Sequence, residues 1–301
     1  MPTITRQTPT FNNLILDIMA REVILETRYD FIYKNFVSIK EDITNTPGTK
    51  VKFLKVKDIG RGKKLDEEDL VPTQTFSTSL VQIDVYEFAN SIEFTKMAEK
   101  ASVVDLYDMV KELLKRDYVA TVDEYLRSIY SGILNTYFVN NPPTYGGAGG
   151  FGPTVSTMSA GAIRMVVSRM KESNIPSFIF NGRQYYVAIM HPAQVASLRS
   201  DPTWANAFYY GNPDIIYNGM VGIYEGVIIV ETPLIEINVV GGNTYYGALF
   251  LGDYQVGLGV ASELQIIEDP PMDLGRFRRI GWYQIFGAGI VNQHGFRVWS
   301  R

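Results

Sequence analysis

The 301-residue chain contains no cysteine. Disulfides, thiolate metal sites and a cysteine nucleophile are therefore excluded. Histidine is almost absent, represented only by His191 and His294. A nucleophile triad needs a histidine held between a nucleophile and an orienting acid. His191 precedes Pro192 and reads as a turn that opens a helix, with the proline at the first helical position. His294 lies in a polar stretch near the C-terminus, and no Gly-x-Ser-x-Gly elbow is present. An excess of positive charge is also missing. The net charge is −4 and the pI about 5.4, whereas tight sequence-independent grip on nucleic acid needs a basic footprint. No apolar run is long enough to cross a bilayer: Ile280 to Val291 is too short and contains Gln284. Residues 1–13 lack the basic start and apolar core of a secretion signal. The expectation is an intracellular protein with no membrane contact.

What is present is the composition of an ordered chain, 46% hydrophobic, 13% aromatic and 20% charged, with apolar content enough for a core. Residues 1–13 have no periodicity and read as an extended arm; residues 14–37 carry short helical spacings. Val51 to Val56 is a strand candidate. Val81, Ile83 and Val85 alternate with polar residues, and the apolar parity then switches to Tyr86, Phe88, Ile92 and Phe94, which predicts a bulge or bend. The two strands flank a long charged stretch, Lys57 to Ser79, with little to bury. A two-stranded ribbon is barely stable alone, and this one has no evident host within its own subunit.

Leu106, Val110, Leu114, Tyr118, Val122, Leu126, Ile129 and Ile133 recur at spacings of three and four. They predict one long helix over 102–138, capped by Ser102 and about 50 Å long, lying across a sheet. Asn140 to Pro153 then breaks the pattern, since eight of its fourteen residues are Gly or Pro. A second unit follows: a helix over 159–173, a buried strand over 184–190, a helix opened by Pro192, and strands at 221–231 and 245–251. Strands at 264–267 and 280–291 are expected to return to the sheet beneath the long helix.

Candidate chemistry is sparse. Asp66, Glu67, Glu68 and Asp69 are adjacent acids, lacking both the separation of a glycosidase pair and the alternation of a calcium loop. A solvated or intersubunit face accounts for them better. Gly146 to Gly152 follows a helix and ends in no Gly-Lys-Ser/Thr, so it is a connector and not a phosphate loop. Arg276, Arg278, Arg279, Arg297 and Arg301 share a C-terminal stretch free of acids. They read as salt-bridge or interface arginines in preference to DNA contacts. No catalytic, cofactor-binding or metal residue is assigned.

The order of parts resembles the Hong Kong 97-type fold of tailed-bacteriophage major capsid (coat) proteins. Locally, Tyr185 to Pro192, Leu198-Arg199-Ser200-Asp201, Gly219 to Thr232 and Leu249 to Tyr254 are similar to the axial-domain segment of the coat proteins of N-four-like podophages. Asp269-Pro270, Asp273-Leu274, Gly281-Trp282 and Phe286 to Asn292 resemble its closing segment. The resemblance implies an α+β fold with an N-terminal arm and short helices (1–45), an extended β-ribbon loop (46–95), a peripheral domain with a spine helix (96–145), an axial domain (146–260) and return strands of the peripheral domain (261–301). It implies a non-enzymatic structural subunit that forms pentamers and hexamers of an icosahedral shell around double-stranded DNA, without cofactors. Its implied partners are a scaffolding protein, a portal protein and, in some shells, a decoration protein. Its implied place is the virion capsid, assembled in the bacterial host cytoplasm. The ribbon residues Arg61, Lys63, Lys64, Asp66, Glu67, Glu68 and Asp69 are the expected assembly interface. Another virion component, of tail or sheath, and a carboxylate-dependent hydrolase are the alternatives.

Overall fold

The computed structural model describes residues 30–42, 50–57, 59–62, 64–65, 70–71, 73–102, 105–139, 151, 155–180, 182–204 and 222–301. The arm expected at the N-terminus lies largely outside them, as does the Gly/Pro-rich linker. The described chain opens with a 3-10 turn, Tyr33–Phe36, and then fourteen strands. These are β1 (Ile39–Asp42), β2 (Lys50–Val56), β3 (Thr78–Asp84), β4 (Tyr86–Thr95), β5 (Thr136–Phe138), β6 (Phe178–Phe180) and β7 (Arg183–Met190), followed by β8 (Ile223–Tyr224), β9 (Val227–Glu231), β10 (Glu236–Val240), β11 (Asn243–Leu251), β12 (Val256–Glu268), β13 (Phe277–Ile290) and β14 (Gly295–Ser300). Four α-helices are interspersed: α1 (Lys96–Ala101), α2 (Leu106–Tyr130), α3 (Ala160–Glu172) and α4 (Pro192–Arg199).

The long helix is shorter than its periodicity suggested. It starts at Leu106, because the Asp105 carboxylate accepts the Tyr107 and Asp108 N–H groups at 3.0 and 3.3 Å. Ser102 instead closes α1. It ends at Tyr130, where the Ser131 and Gly132 N–H groups bond back to Arg127 and Ile129. Thr136–Phe138, expected to be helical, is a strand that pairs parallel with β14. Its β-branched and aromatic residues suit a strand, and a tertiary partner decides the matter.

Helix α2 lies on a four-stranded sheet of order β1-β12-β13-β4. Leu106, Val110, Leu114, Val122 and Leu126 bury against Ile280, Trp282 and Phe286. Alternation along β13 gives the reason, since every second residue from Ile280 to Ala288 faces the helix. Trp282 donates its indole N–H to Asp117 at 2.8 Å, and Phe286 stacks on Phe88 with centroids 4.4 Å apart.

The second sheet runs β5-β14-β11-β7-β9-β8, with β10 added to β11 and β6 to β7. Tyr186, Ala188, Met190, Ala248 and Phe250 face α3 and α4, while Val187, Ile189, Leu249 and Leu251 face the core beneath α2. Burial on both faces explains why these strands are continuous apolar runs. Ser159 caps α3 through the Ala162 N–H, and His191 caps α4 with its Nδ1 accepting from Ala193 at 3.1 Å. The C-terminal strands do not all return to one place. β12 begins at Val256, earlier than expected, and with β13 joins the sheet under α2, whereas β14 joins the other sheet beside β11.

The parity switch near Val85 is a change of partner. β3 pairs with β2, from Lys50↔Asp84 to Val56↔Thr78, and after Val85 alone β4 pairs with β13 from Tyr86↔Phe286 onward. The expectation that the ribbon has no host in its own subunit is corrected at its base. Val51, Phe53 and Ile83 are buried on glycines of β12 and β13. A Cβ on Gly259 would sit 2.4 Å from Val51 Cγ2, and one on Gly289 2.9 Å from Ile83. Bare backbone there lets two layers meet at a spacing that side chains would prevent.

Candidate assembly surfaces

Beyond its base the ribbon loses that support. Leu54 and Leu80 are register partners on one face, 65% and 64% exposed, with Val56 beside them and Phe76 just before β3 also exposed. Of the residues expected at the interface, Arg61 and Lys64 are exposed. Lys63 and the acidic run Asp66, Glu67, Glu68 and Asp69 lie outside the described residues. The ribbon therefore presents an apolar face and exposed cations, Lys52, Lys57, Arg61 and Lys64 among them, to whatever lies outside the subunit.

Among the described residues, neither histidine ring is hydrogen-bonded to a side-chain hydroxyl or carboxylate. The His191 ring stacks on Tyr246 with centroids 4.3 Å apart, and burial lowers its pKa below the usual histidine range. A neutral ring suits an acceptor that caps a helix. His294 directs Nδ1 at the Asp253 carbonyl, 2.9 Å away. An open groove over Gly281 is lined by Ser91, Ile267, Asp269, Arg279 and Tyr283. Its one acid, Asp269, is paired with Arg279 at 3.5 Å, so no two carboxylates converge there. No group of His, Asp and Glu suited to a metal occurs among the described residues.

The C-terminal arginines are mostly held internally. Arg276 pairs with Asp273, Arg278 with Glu99 and Glu268, Arg279 with Glu93 and Asp269, and Arg297 with Glu236 at 2.7 Å. These pairs tie β13 to β4, α1 and the end of β12, and β14 to β10.

One polar site was missed by sequence reasoning. Asp123 is 1% exposed on the buried side of α2. Its carboxylate accepts the N–H groups of Ile32, Tyr33 and Lys34, at 3.2, 2.9 and 3.3 Å. The available signal was an acid beside the apolar stripe between Val122 and Leu126; nothing local said what it would bind. Burial raises its pKa above the usual carboxylate value of 3.8, against the pull of the three N–H groups and Lys34. The folded protein thus holds this proton more tightly than the unfolded chain. Asp123 contributes most favourably below pH 3.8, and its contribution declines as pH rises through the raised value. In Asp123→Asn that decline is expected to vanish. The check is unfolding free energy against pH for both proteins, and parallel curves reject the assignment.

Residues 154–260 match the family model described as phage capsid protein. No curated protein sequence matches the chain. Among solved structures, the capsid of Ralstonia phage GP4 is similar over 100% of this chain and 98% of its own, with a TM-score of 0.73 at 15% identity. The capsid of cyanophage Pam1 is similar over 95% of this chain and 96% of its own, at 0.72 and 17%. The acid-stable capsid of Helicobacter pylori bacteriophage KHP30 is similar over 99% of both, at 0.69 and 12%. At such identities the likeness is one of fold, and it extends over the ribbon, the spine helix and both sheets.

Proposed function

We infer that the chain is a major capsid protein of a tailed bacteriophage, with the Hong Kong 97-type fold, and that its role is to tile a closed shell. The observation that carries this is the end-to-end correspondence with a capsid subunit, 100% of one chain against 98% of the other. A shared domain alone would leave one of the chains partly unmatched. The charge and the surface agree with that role. A net charge of −4 suits a wall that encloses DNA without gripping it. The exposed apolar face of the ribbon suits burial against a neighbour, since isolated subunits rarely keep such residues together in water.

The shell is built of pentamers and hexamers around double-stranded DNA, and its assembly in the host cytoplasm involves a scaffolding protein and a portal, with a decoration protein in some shells. The subunit works by shape and contact and has no catalytic role. Electron microscopy of purified assemblies tests this reading, with closed particles bearing five- and six-fold clusters as the expected result. Tubes would favour a tail or sheath component. A monodisperse monomer under every ionic condition, with scaffolding protein supplied, would overturn it.

A further inference from the structure

Three short crossings join the unit built on α2 to the unit built on the eight-stranded sheet: residues 131–135, 252–255 and 291–294. They lie side by side. The Gly252 N–H bonds to the His294 carbonyl at 2.8 Å, and the Val291 N–H to the Gln255 carbonyl at 2.8 Å. The Leu134 N–H bonds to Gln293 Oε1 at 3.1 Å, and the Asn135 side-chain amide to the Gln293 carbonyl at 3.1 Å. Crossings gathered side by side allow one unit to turn on the other, with the side chains that Val187, Ile189, Leu249 and Leu251 bury beneath α2 sliding as it does.

Residues 30–42 span this hinge, with Tyr33 and Val37 buried in the core that the two units share. Ile32, just before their 3-10 turn, has no side chain able to cap it. Asp123, on α2, supplies the missing acceptor to three consecutive N–H groups. The Tyr130 hydroxyl holds the other end of the turn through the Phe36 carbonyl at 3.2 Å. From this anchor the Tyr33 hydroxyl donates to the Leu234 carbonyl, and Phe36 meets Phe178 edge-on at 6.2 Å. Both of those partners belong to the other unit. The segment then passes the hinge, where Ser38 Oγ accepts the Tyr254 N–H at 3.3 Å, and ends as β1 beside β12.

We propose that residues 30–42 are a strap that locks the two units in one orientation across this hinge, with Asp123 as its clasp and Tyr33 as its link to the far unit. The charged and titratable groups around the clasp are Lys34 and Tyr33 on the strap and Arg127 and Tyr130 on α2. Their arrangement holds the strap without a direct carboxylate–cation pair. A subunit that must fit several environments in a closed surface gains from such a device, since one joint can be held or released as a unit. The inference concerns the free subunit and stands independently of whether that subunit builds shells.

The absence of cysteine makes the test clean. Spin labels are placed on Lys115→Cys of α2 and Lys171→Cys of α3, both exposed, in the full chain. The expected result is one narrow distance distribution, which Asp123→Ala broadens. In that variant the amides of Ile32, Tyr33 and Lys34 should exchange with solvent on the order of 100-fold faster, as loss of the hydrogen bonds to Asp123 implies. A distribution that stays narrow while those amides are deprotected overturns the lock. If Asp123→Ala fails to fold, the same label pair is read in Tyr33→Phe, which removes only the link to Leu234. Broadening there supports the proposal, and an unchanged distribution rejects it.

Discussion

Reversing the acidic run of the ribbon, Asp66, Glu67, Glu68 and Asp69 all to Lys, is expected to cut shell yield at least tenfold while leaving the melting temperature of the free subunit within a few degrees. The reasoning separates the energies of one copy from those of many. Within a single solvated loop, exposed ion pairs are worth about 0–1 kcal/mol each, and the run carries no apolar side chain that could serve a core. In a shell the same loop recurs on every subunit. Four reversals change the local charge by eight, since each −1 becomes +1, and convert attraction to repulsion at every repeat. Arg61 and Lys64, close to the run in sequence, are exposed, so the variant also gathers like charges in that stretch. Sedimentation of assembled particles and thermal melting of the unassembled chain are measured together. Normal particle yield would remove the acidic run from the interface. A large loss of melting temperature would mean that the loop packs on its own subunit.

The second large effect is expected from Gly287→Ala, a change of one methyl group. Its Cβ would lie 2.1 Å from the Asp84 carbonyl oxygen and 2.9 Å from Val85 Cα. Both obstacles are backbone, so no rotamer change relieves them. The junction at which the chain passes from β3 to β4 must move, and with it the register that sets Tyr86 opposite Phe286. Overpacking of this kind costs about 1–3 kcal/mol where side chains can adjust, and a loss at or above the upper end is expected here. Equilibrium unfolding of the free subunit measures it. Gly182→Ala is the comparison: that glycine has open space around its Cβ and a positive φ of 76°, so it reports backbone strain without overpacking. Equal losses in the two variants would mean that close approach at Gly287 is not what matters. Because the ribbon is set at this junction, Gly287→Ala should also impair assembly.

Legibility in the sequence followed the range of the interaction. The helix over 160–172 was readable at both ends, because Ser159 and Ser173 cap it within one turn. The opening of α4 was readable for the same reason, with His191 and Gln194 forming a reciprocal cap around Pro192. The parity switch near Val85 marked a real discontinuity, since a strand cannot offer two faces to one partner. The ribbon interface itself rested on charge and length, with no partner in view.

Other features depended on partners distant in sequence. The end of α2 and the strand at Thr136–Phe138 were misread as one helix, since the helical spacing runs on through Ile133 and only β14, some 160 residues later, recruits the segment into a sheet. Nothing local marks Gly257, Gly259, Gly287 and Gly289 as places where Phe53, Val51, Asp84 and Ile83 lie over bare backbone. The partner of Asp123, the turn at Tyr33, comes to it across 90 residues.

The sequence by itself determined the absence of thiol chemistry, the order of ribbon, spine helix and second unit, and the apolar stripes that must face inward, because composition and periodicity act through neighbours in the chain. Only the tertiary structure decided which strand joins which sheet, where the ribbon rests and what the buried Asp123 holds. Those outcomes depend on shape and hydrogen-bond partners supplied by segments far away, and a single sequence does not display such pairings.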